Sequence, residues 1–298
     1  MKFSIVTPSY NMETWISRTI ESIVTQEGDF ELEYILADGN STDRTVALFE
    51  EYRARIERKE LPVRCRQITM KSFSEKDSGT FDAINKGFAC ATGDVYTWAD
   101  ADNTYTPGAL EAVRKTFDTF PDIAWVHGVS GAMNNRWEET ASGTCRLYRE
   151  KWLREGVYGM ESYPVAQNGC FWRAALWKKV GPIPTELRVA GDYWLWQRMA
   201  RHASMWSLDV NLGTFMRRPG QLHTQGGYRA EQWSVRPKRS LAAWQARIFF
   251  TPQSRAPKFL QPFFLWLYSV LYIHGEKPEY IAFENGVPKV VRARSFIC

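Results

Sequence analysis

An α/β fold with a mainly parallel central sheet flanked by helices is predicted by two features of this chain. A third says where a ligand would bind. From Phe3 to Val126, short apolar runs rich in β-branched residues alternate with segments of helical periodicity. That order calls for parallel strands joined by right-handed helical crossovers. Thr7-Pro8, Asp38-Gly39 and Asp100 to Asp102 each follow one of the strand-like runs. In sheets of this kind ligands sit beyond the carboxyl ends of the strands, so three polar motifs share one edge.

Phe3 to Thr7 is the first strand, and Thr14 to Thr25 carries apolar residues at helical spacing. Leu32 to Ala37 reads as the second strand. Thr42 to Ile56 reads as a helix opened by Ser41 or Asp43, whose short polar side chains satisfy free backbone N–H groups. Val63 to Ile68 is the third strand, Phe81 to Ala91 a helix, and Val95 to Ala99 the fourth strand. Pro107 to Phe117 is a helix with proline near its first turn, where the missing N–H is harmless. Ile123 to Val126 is the fifth strand. From Val129 to Pro164, glycine, serine, asparagine and aromatics mix, which suits long loops and an antiparallel addition to the sheet. Arg173 to Val180 and Gly191 to Arg201 read as helices. The expected division is an α/β domain over residues 1–230 and a helical, aromatic-rich C-terminal appendage over 231–298.

Composition narrows the function classes. The chain of 298 residues is long enough for a substantial core, and its net charge of +5 does not demand nucleic acid as a partner. That charge is compatible with an anionic nucleotide or anionic lipid headgroups. Cys65, Cys90, Cys145, Cys170 and Cys298 are scattered without CxxC spacing. They read as reduced thiols of a cytoplasmic protein, with no zinc site. The chain enters a strand almost at once, so no signal peptide is expected. There is no GxGxxG after the first strand, no phosphate-binding loop with a following Lys-Ser/Thr, and no Ser-His-Asp order.

Trp98-Ala99-Asp100-Ala101-Asp102-Asn103 is the most informative segment. Alternate residues of an extended chain point the same way, so Asp100 and Asp102 are expected to face one point. Hard oxygen ligands at a strand end suit Mg²⁺ or Mn²⁺ carrying a diphosphate. An acidic pair in a turn is also a common solvated feature, so the segment gains its weight from its neighbours.

Those neighbours are Ser4 to Asn11 (SIVTPSYN), Ala37 to Asp43 (ADGNSTD), Asp77 to Gly87 (DSGTFDAINKG), Gly93-Asp94 and the Asp-x-Asp. Together they resemble the family 2 glycosyltransferases, four motifs in order over about the first 110 residues. Gln167 to Trp172 and Ala190 to Trp196 (AGDYWLW) extend the similarity to about residue 230. The resemblance implies a GT-A type nucleotide-sugar-binding domain and inverting transfer from a nucleoside-diphosphate sugar, with UDP the expected nucleotide. The acceptor would be a saccharide or a lipid-linked saccharide, as in assembly of bacterial surface glycans. By the same resemblance Asp102 holds the metal, with Asp100 close by. Thr7, Pro8, Tyr10, Asp38, Asp77 and Lys86 contact the donor, and Asp192 is the general base. Glu186 and Glu161 are reserve candidates for the base. The family usually presents two adjacent acidic residues near the metal, and here Asn103 follows Asp102.

Each assignment has an ordinary structural alternative. Asp38 in Asp-Gly is a common turn residue, and Asp82 with Lys86 at i, i+4 is a common surface ion pair. Asp82 and Asn85 are expected to brace a loop. Asp192 at a helix start is first of all a cap. His223, Arg217 or Arg218 is expected to close over the diphosphate as a cationic clamp, or to lie in a solvated loop. Two rival functions are a catalytically silent nucleotide-sugar or glycan-binding module and a sugar-nucleotide pyrophosphorylase. The latter needs a glycine-rich basic loop after the first strand, which Pro8 to Asn11 does not supply.

Pro262 to Ile273 is a dense apolar and aromatic run, short of the ~20 residues that span a bilayer. Arg236, Lys238, Arg239, Arg247, Arg255 and Lys258 precede it. Cations beside interfacial aromatics suit peripheral contact with the inner face of the plasma membrane. The alternative is packing on the α/β domain or in a homodimer interface.

Overall fold

The computed structural model describes residues 1–160, 162–221, 226–237, 257, 259–260, 262–263, 266 and 279–293. Its centre is one mixed sheet. Parallel strands β1 (Lys2–Ser9), β2 (Glu31–Asp38), β3 (Gln67–Ser74) and β4 (Val95–Trp98) form one half, with β1 between β4 and β2 and β3 at the edge. On the other side of β4 come β8 (Cys170–Arg173), β6 (Trp125–Asn134) and β9 (Met205–Arg217), with β8 antiparallel to both β4 and β6. Short β5 (Thr104–Tyr105) pairs with β9, and β7 (Glu139–Ala141) folds back antiparallel on β6.

Helices cover both faces. On one, α1 (Ile16–Val24), α2 (Thr45–Glu57) and α4 (Ala109–Thr119) bury Ile20, Phe49, Leu110 and Val113 with Phe3, Ile5 and Tyr34 of the strands. On the other, α3 (Thr80–Ala89), α5 (Glu150–Arg154), α6 (Ala174–Val180) and α7 (Gly191–Met199) share a core with Val6, Ile35 and Trp98. The strands between are buried on both sides, which is why they read as continuous apolar runs rather than alternating ones. Trp98, Trp125, Trp172, Trp177 and Trp196 are buried together, and Trp98 stacks on Trp196 at 5.9 Å with 5° between ring planes. These five tryptophans are core, and they seat α7 against the end of β4.

The third strand lies further along than its apolar run indicated. It runs over Gln67–Ser74, in register with β2 from Glu31↔Gln67 to Asp38↔Ser74, while Val63 is exposed. An edge strand is held by backbone pairing and tolerates polar side chains. Lys71, Ser72 and Ser74 bond to Glu33, Glu50 and Asp38.

Among its described residues the C-terminal region carries two strands as well as a helix. Helix α8 (Tyr228–Val235) spans the expected boundary at residue 230. Beyond it β10 (Glu279–Glu284) and β11 (Val287–Arg292) form a hairpin on the sheet edge, with Ile281 beside Leu208 of β9 and fully buried. Residues 238–250 of the basic run and most of Pro262 to Ile273 lie outside the described residues, while Arg236 is buried. Cys145 is disulfide-bonded, which corrects the reading of five reduced thiols, while Cys65, Cys90 and Cys170 are free. Spacing along a chain does not report which distant cysteines a fold brings together. Among the described residues no helix is long and apolar enough to cross a membrane.

Candidate active site

The carboxyl ends of β1, β2 and β3 meet at Asp38, which is buried. Its Oδ1 accepts hydrogen bonds from the Ser9 hydroxyl at 2.8 Å and the Ser41 hydroxyl at 2.6 Å. Its Oδ2 accepts from the Ser41 amide at 2.8 Å and the Ser74 hydroxyl at 2.6 Å. Four bonds fill the four lone-pair directions of a carboxylate, so Asp38 pins three strand ends into one rim. Asn11, at φ +51°, extends the tie by accepting the Thr42 amide at 2.9 Å. Thr7 faces inward, its hydroxyl 3.1 Å from that of Tyr34, and Pro8 is buried beside it. Tyr10 is exposed on the rim.

Asp77 lies over Gly39. A Cβ at position 39 would come within 2.6 Å of Asp77 Oδ2, so the glycine of Asp38-Gly39 is there for close approach. Burial, with Asp82 and Asp38 adding to it, raises the Asp77 carboxyl above its ordinary range, against a bond from the Gly79 amide. The i, i+4 pair behaves as its spacing suggests: Lys86 sits 2.9 Å from Glu75 and 3.6 Å from Asp82. Asp82 accepts the Ser78 amide, and Asn85 exchanges two bonds with the backbone of Ile183. These residues brace the loop between β3 and α3.

The acidic pair is held by a turn rather than by strand alternation. Strand β4 ends at Trp98, and the Asn103 amide donates to the Asp100 carbonyl at 2.9 Å. The two carboxylates are nonetheless neighbours. Burial pushes the Asp100 carboxyl up to about 7, with the charges of Asp102 and Asp192 adding to the effect. Asn103 accounts for the missing third acid. Its Nδ2 donates to Asp100 Oδ2 at 3.2 Å, and its Oδ1 accepts the Met216 amide at 3.0 Å. An aspartate there could not donate, and would add negative charge where it is already crowded.

Asp102 is buried, and its Oδ2 accepts from Arg218 Nε at 2.7 Å and Gln221 Nε2 at 3.3 Å. The Arg218 guanidinium also lies 5.4 Å over the Trp15 ring. Between the two arginines of the expected clamp, the structure therefore puts Arg218 at the acidic pair. Arg217 is exposed at the end of β9. His223 and Glu161 lie outside the described residues, and Glu186 is exposed. Gln221 gave no signal of its own, because its partner is 119 residues away in sequence.

Asp192 stands at the start of α7. The segment before it is seated by contacts with α3 and the loop leading into it: Arg188 donates to the Ser78 carbonyl at 2.9 Å, and Gly191 abuts the Phe81 ring. Its Oδ1 accepts the Tyr193 amide at 2.7 Å and the Tyr228 hydroxyl at 3.2 Å, and its Oδ2 lies 3.3 Å from that hydroxyl. Burial pushes the carboxyl up to about 6 against these bonds.

The residues present suit a divalent cation. Among the described residues no three His, Cys, Asp or Glu side chains could hold a metal by themselves. Mg²⁺ and Mn²⁺ at diphosphate sites ask for only one or two carboxylates, the rest coming from phosphate and water. Asp100, crowded by Asp102 and Asp192, is where such a charge would be welcome.

A family model described as Glycosyl transferase family 2 matches residues 4–178. A PGL/p-HBAD biosynthesis glycosyltransferase of Mycobacterium bovis is 27% identical over 195 residues, covering 64% of this chain and 66% of that protein. The poly(ribitol-phosphate) β-N-acetylglucosaminyltransferase TarS of Staphylococcus aureus is 39% identical over 194 residues, 57% of this chain and 32% of TarS. The chain thus spans between about a third and two-thirds of the length of these relatives. Two solved structures share the fold. The S. aureus TarS complex with UDP-GlcNAc superposes with a TM-score of 0.59 at 16% identity, covering 93% of this chain and 82% of that one. A mannosyltransferase of Pyrobaculum calidifontis with GDP-Man and Mn²⁺ gives 0.55 at 16% identity, covering 92% and 76%.

Proposed function

Because this chain belongs to glycosyl transferase family 2, we propose that it moves a sugar from a nucleoside-diphosphate donor, UDP-linked, to a saccharide or lipid-linked saccharide acceptor with inversion. The observation that carries the reading is the seating of α7, which bears Asp192, against the end of β4 that leads into the acidic turn, where Trp196 stacks on Trp98 at 5.9 Å. The charge of Asp192 adds to the upward shift of the Asp100 carboxyl. A group able to take a proton thus adjoins a place suited to a diphosphate.

In this reading Tyr10 and Asp77 meet the nucleoside on the rim that Thr7, Pro8 and Asp38 shape. Asp102, with Asp100, would hold Mg²⁺ or Mn²⁺, which when bound offsets negative charge on the departing diphosphate. Arg218 adds a second cation on the same side. The acceptor oxygen attacks the anomeric carbon as the bond to the diphosphate oxygen breaks on the opposite face. Asp192 takes the acceptor's proton. A carboxyl at about 6 is ionised near neutral pH yet basic enough to do so.

The test is to incubate the protein with a panel of nucleotide sugars and Mg²⁺ or Mn²⁺ and to follow free nucleoside diphosphate. Release with one donor, raised by a saccharide acceptor, supports transfer. Saturable donor binding without release with any metal or acceptor would make the protein a binding module instead.

A further inference from the structure

We infer that Tyr228 is a positioning residue for the proposed base, its hydroxyl fixing the Asp192 carboxylate so that Oδ2 is the atom left to face the acceptor. The inference rests on the reading of Asp192 as the base. A carboxylate oxygen offers two lone-pair directions. Oδ1 takes the Tyr193 amide at 2.7 Å, and the single Tyr228 hydroxyl proton is shared between Oδ1 at 3.2 Å and Oδ2 at 3.3 Å. Among the described residues Oδ2 is therefore the less engaged oxygen.

Tyr228 is itself well fixed. It opens α8 behind Gly226 and Gly227, whose φ of +90° and +87° let the chain turn sharply into the helix. One turn on, Glu231 accepts the amides of Arg188, Val189 and Ala190, each at 2.9 Å. Residues three apart share a helix face, so one face of α8 holds both the Asp192 side chain and the backbone leading into it. The strand end and loop that precede α8 put Arg218 and Gln221 on Asp102. Arg218 and Gln221 thus reach Asp102, and Tyr228 reaches Asp192.

The groups facing Asp192 are Tyr193, Tyr228 and Glu231, with Asp100 and Cys170 across from it. Tyr228 favours the ionised form by donating a hydrogen bond, and Glu231 disfavours it by charge. The two residues thus pull the titration of Asp192 in opposite directions.

The test compares Tyr228→Phe, Glu231→Gln and Asp192→Asn with the unsubstituted protein, using turnover with the accepted donor and acceptor across pH. Tyr228→Phe is expected to lower kcat about tenfold, leave donor KM unchanged, and move the acidic limb of kcat/KM up by about one to two pH units. Glu231→Gln should move that limb down or leave it in place. If Tyr228 serves only to pack α8, both variants lose thermal stability alike and the limb stays put, which overturns the inference. If Asp192→Asn keeps near-normal turnover, the base assignment itself is wrong. Should Tyr228→Phe not fold, 3,5-difluorotyrosine at position 228 keeps the size and strengthens the donor. The acidic limb must then move down, and an unmoved limb overturns the inference equally.

Discussion

Asp100 and Asp102 differ by two positions and by nearly everything that decides what a carboxylate can do. Asp102 has Arg218 and Gln221 on one oxygen, whereas among the described residues Asp100 has one donor, Asn103, and two acidic neighbours. Asp102→Ala is expected to abolish metal-dependent turnover, because Arg218 and the diphosphate both lose the group that orients them. Assays over a Mn²⁺ titration check this, and wild-type rates at saturating Mn²⁺ would end the assignment. Asp100 makes a stability statement. Its folded value of about 7 lies above the ordinary 3.8, so its protonated form favours the native state. That contribution is full below about pH 4 and is lost as pH rises through about 7. Asp100→Asn should therefore raise the melting temperature at pH 8 in the absence of divalent metal by several degrees, with little change at pH 4. Equal shifts at both pH values would show that the charge crowding is not felt.

Among the elements, β2 carries the feature that its own sequence conceals most. Glu33 sits mid-strand and fully buried. It accepts from the Ser4 hydroxyl, from Lys71 Nζ at 2.7 Å, and from the amide and hydroxyl of Thr92. Burial alone would raise its carboxyl, but these bonds from β1, β3 and the turn before β4 outweigh it and hold the group at about 2. The shift is downward, so the stability it gives is present above about pH 4.5 and is lost as pH falls toward 2. Glu33→Gln should cost about 3 kcal/mol at pH 7 and almost nothing near pH 2, read from urea denaturation. An equal cost at both pH values would make packing, not charge, the cause. The strands themselves were legible because both faces of the sheet are covered, leaving β-branched runs such as Phe3 to Thr7. Among the four parallel strands β1 to β4 the exception was β3, an edge strand whose pairing leaves no apolar mark, and β8, β9, β10 and β11 were not read from the sequence at all.

For the molecule as a whole, the surface near the C-terminus bears on location. Phe259, Phe263, Trp266 and Trp233 are exposed. In the sequence, residues 232–275 contain six basic side chains and no acidic one. The expected outcome is co-sedimentation with anionic vesicles, reduced about tenfold when Phe259, Phe263 and Trp266 are all changed to serine. Equal, negligible sedimentation of both proteins would rule the membrane contact out. Deleting the tail is the poorer experiment, because it also removes β10 and uncovers the place filled by Ile281. By itself the sequence determined the α/β order, the shared strand-end edge and the acidic residues on it, because periodicity and local polar motifs are properties of neighbouring residues. Only the tertiary structure decided that Asp100 and Asp102 sit on a turn, that Arg218 rather than Arg217 reaches them, that Asp38 is saturated by hydroxyls, and that Tyr228 holds Asp192. Those contacts join side chains as many as 116 residues apart, and their charges and hydrogen bonds act through distance in space, which no local pattern along the chain records.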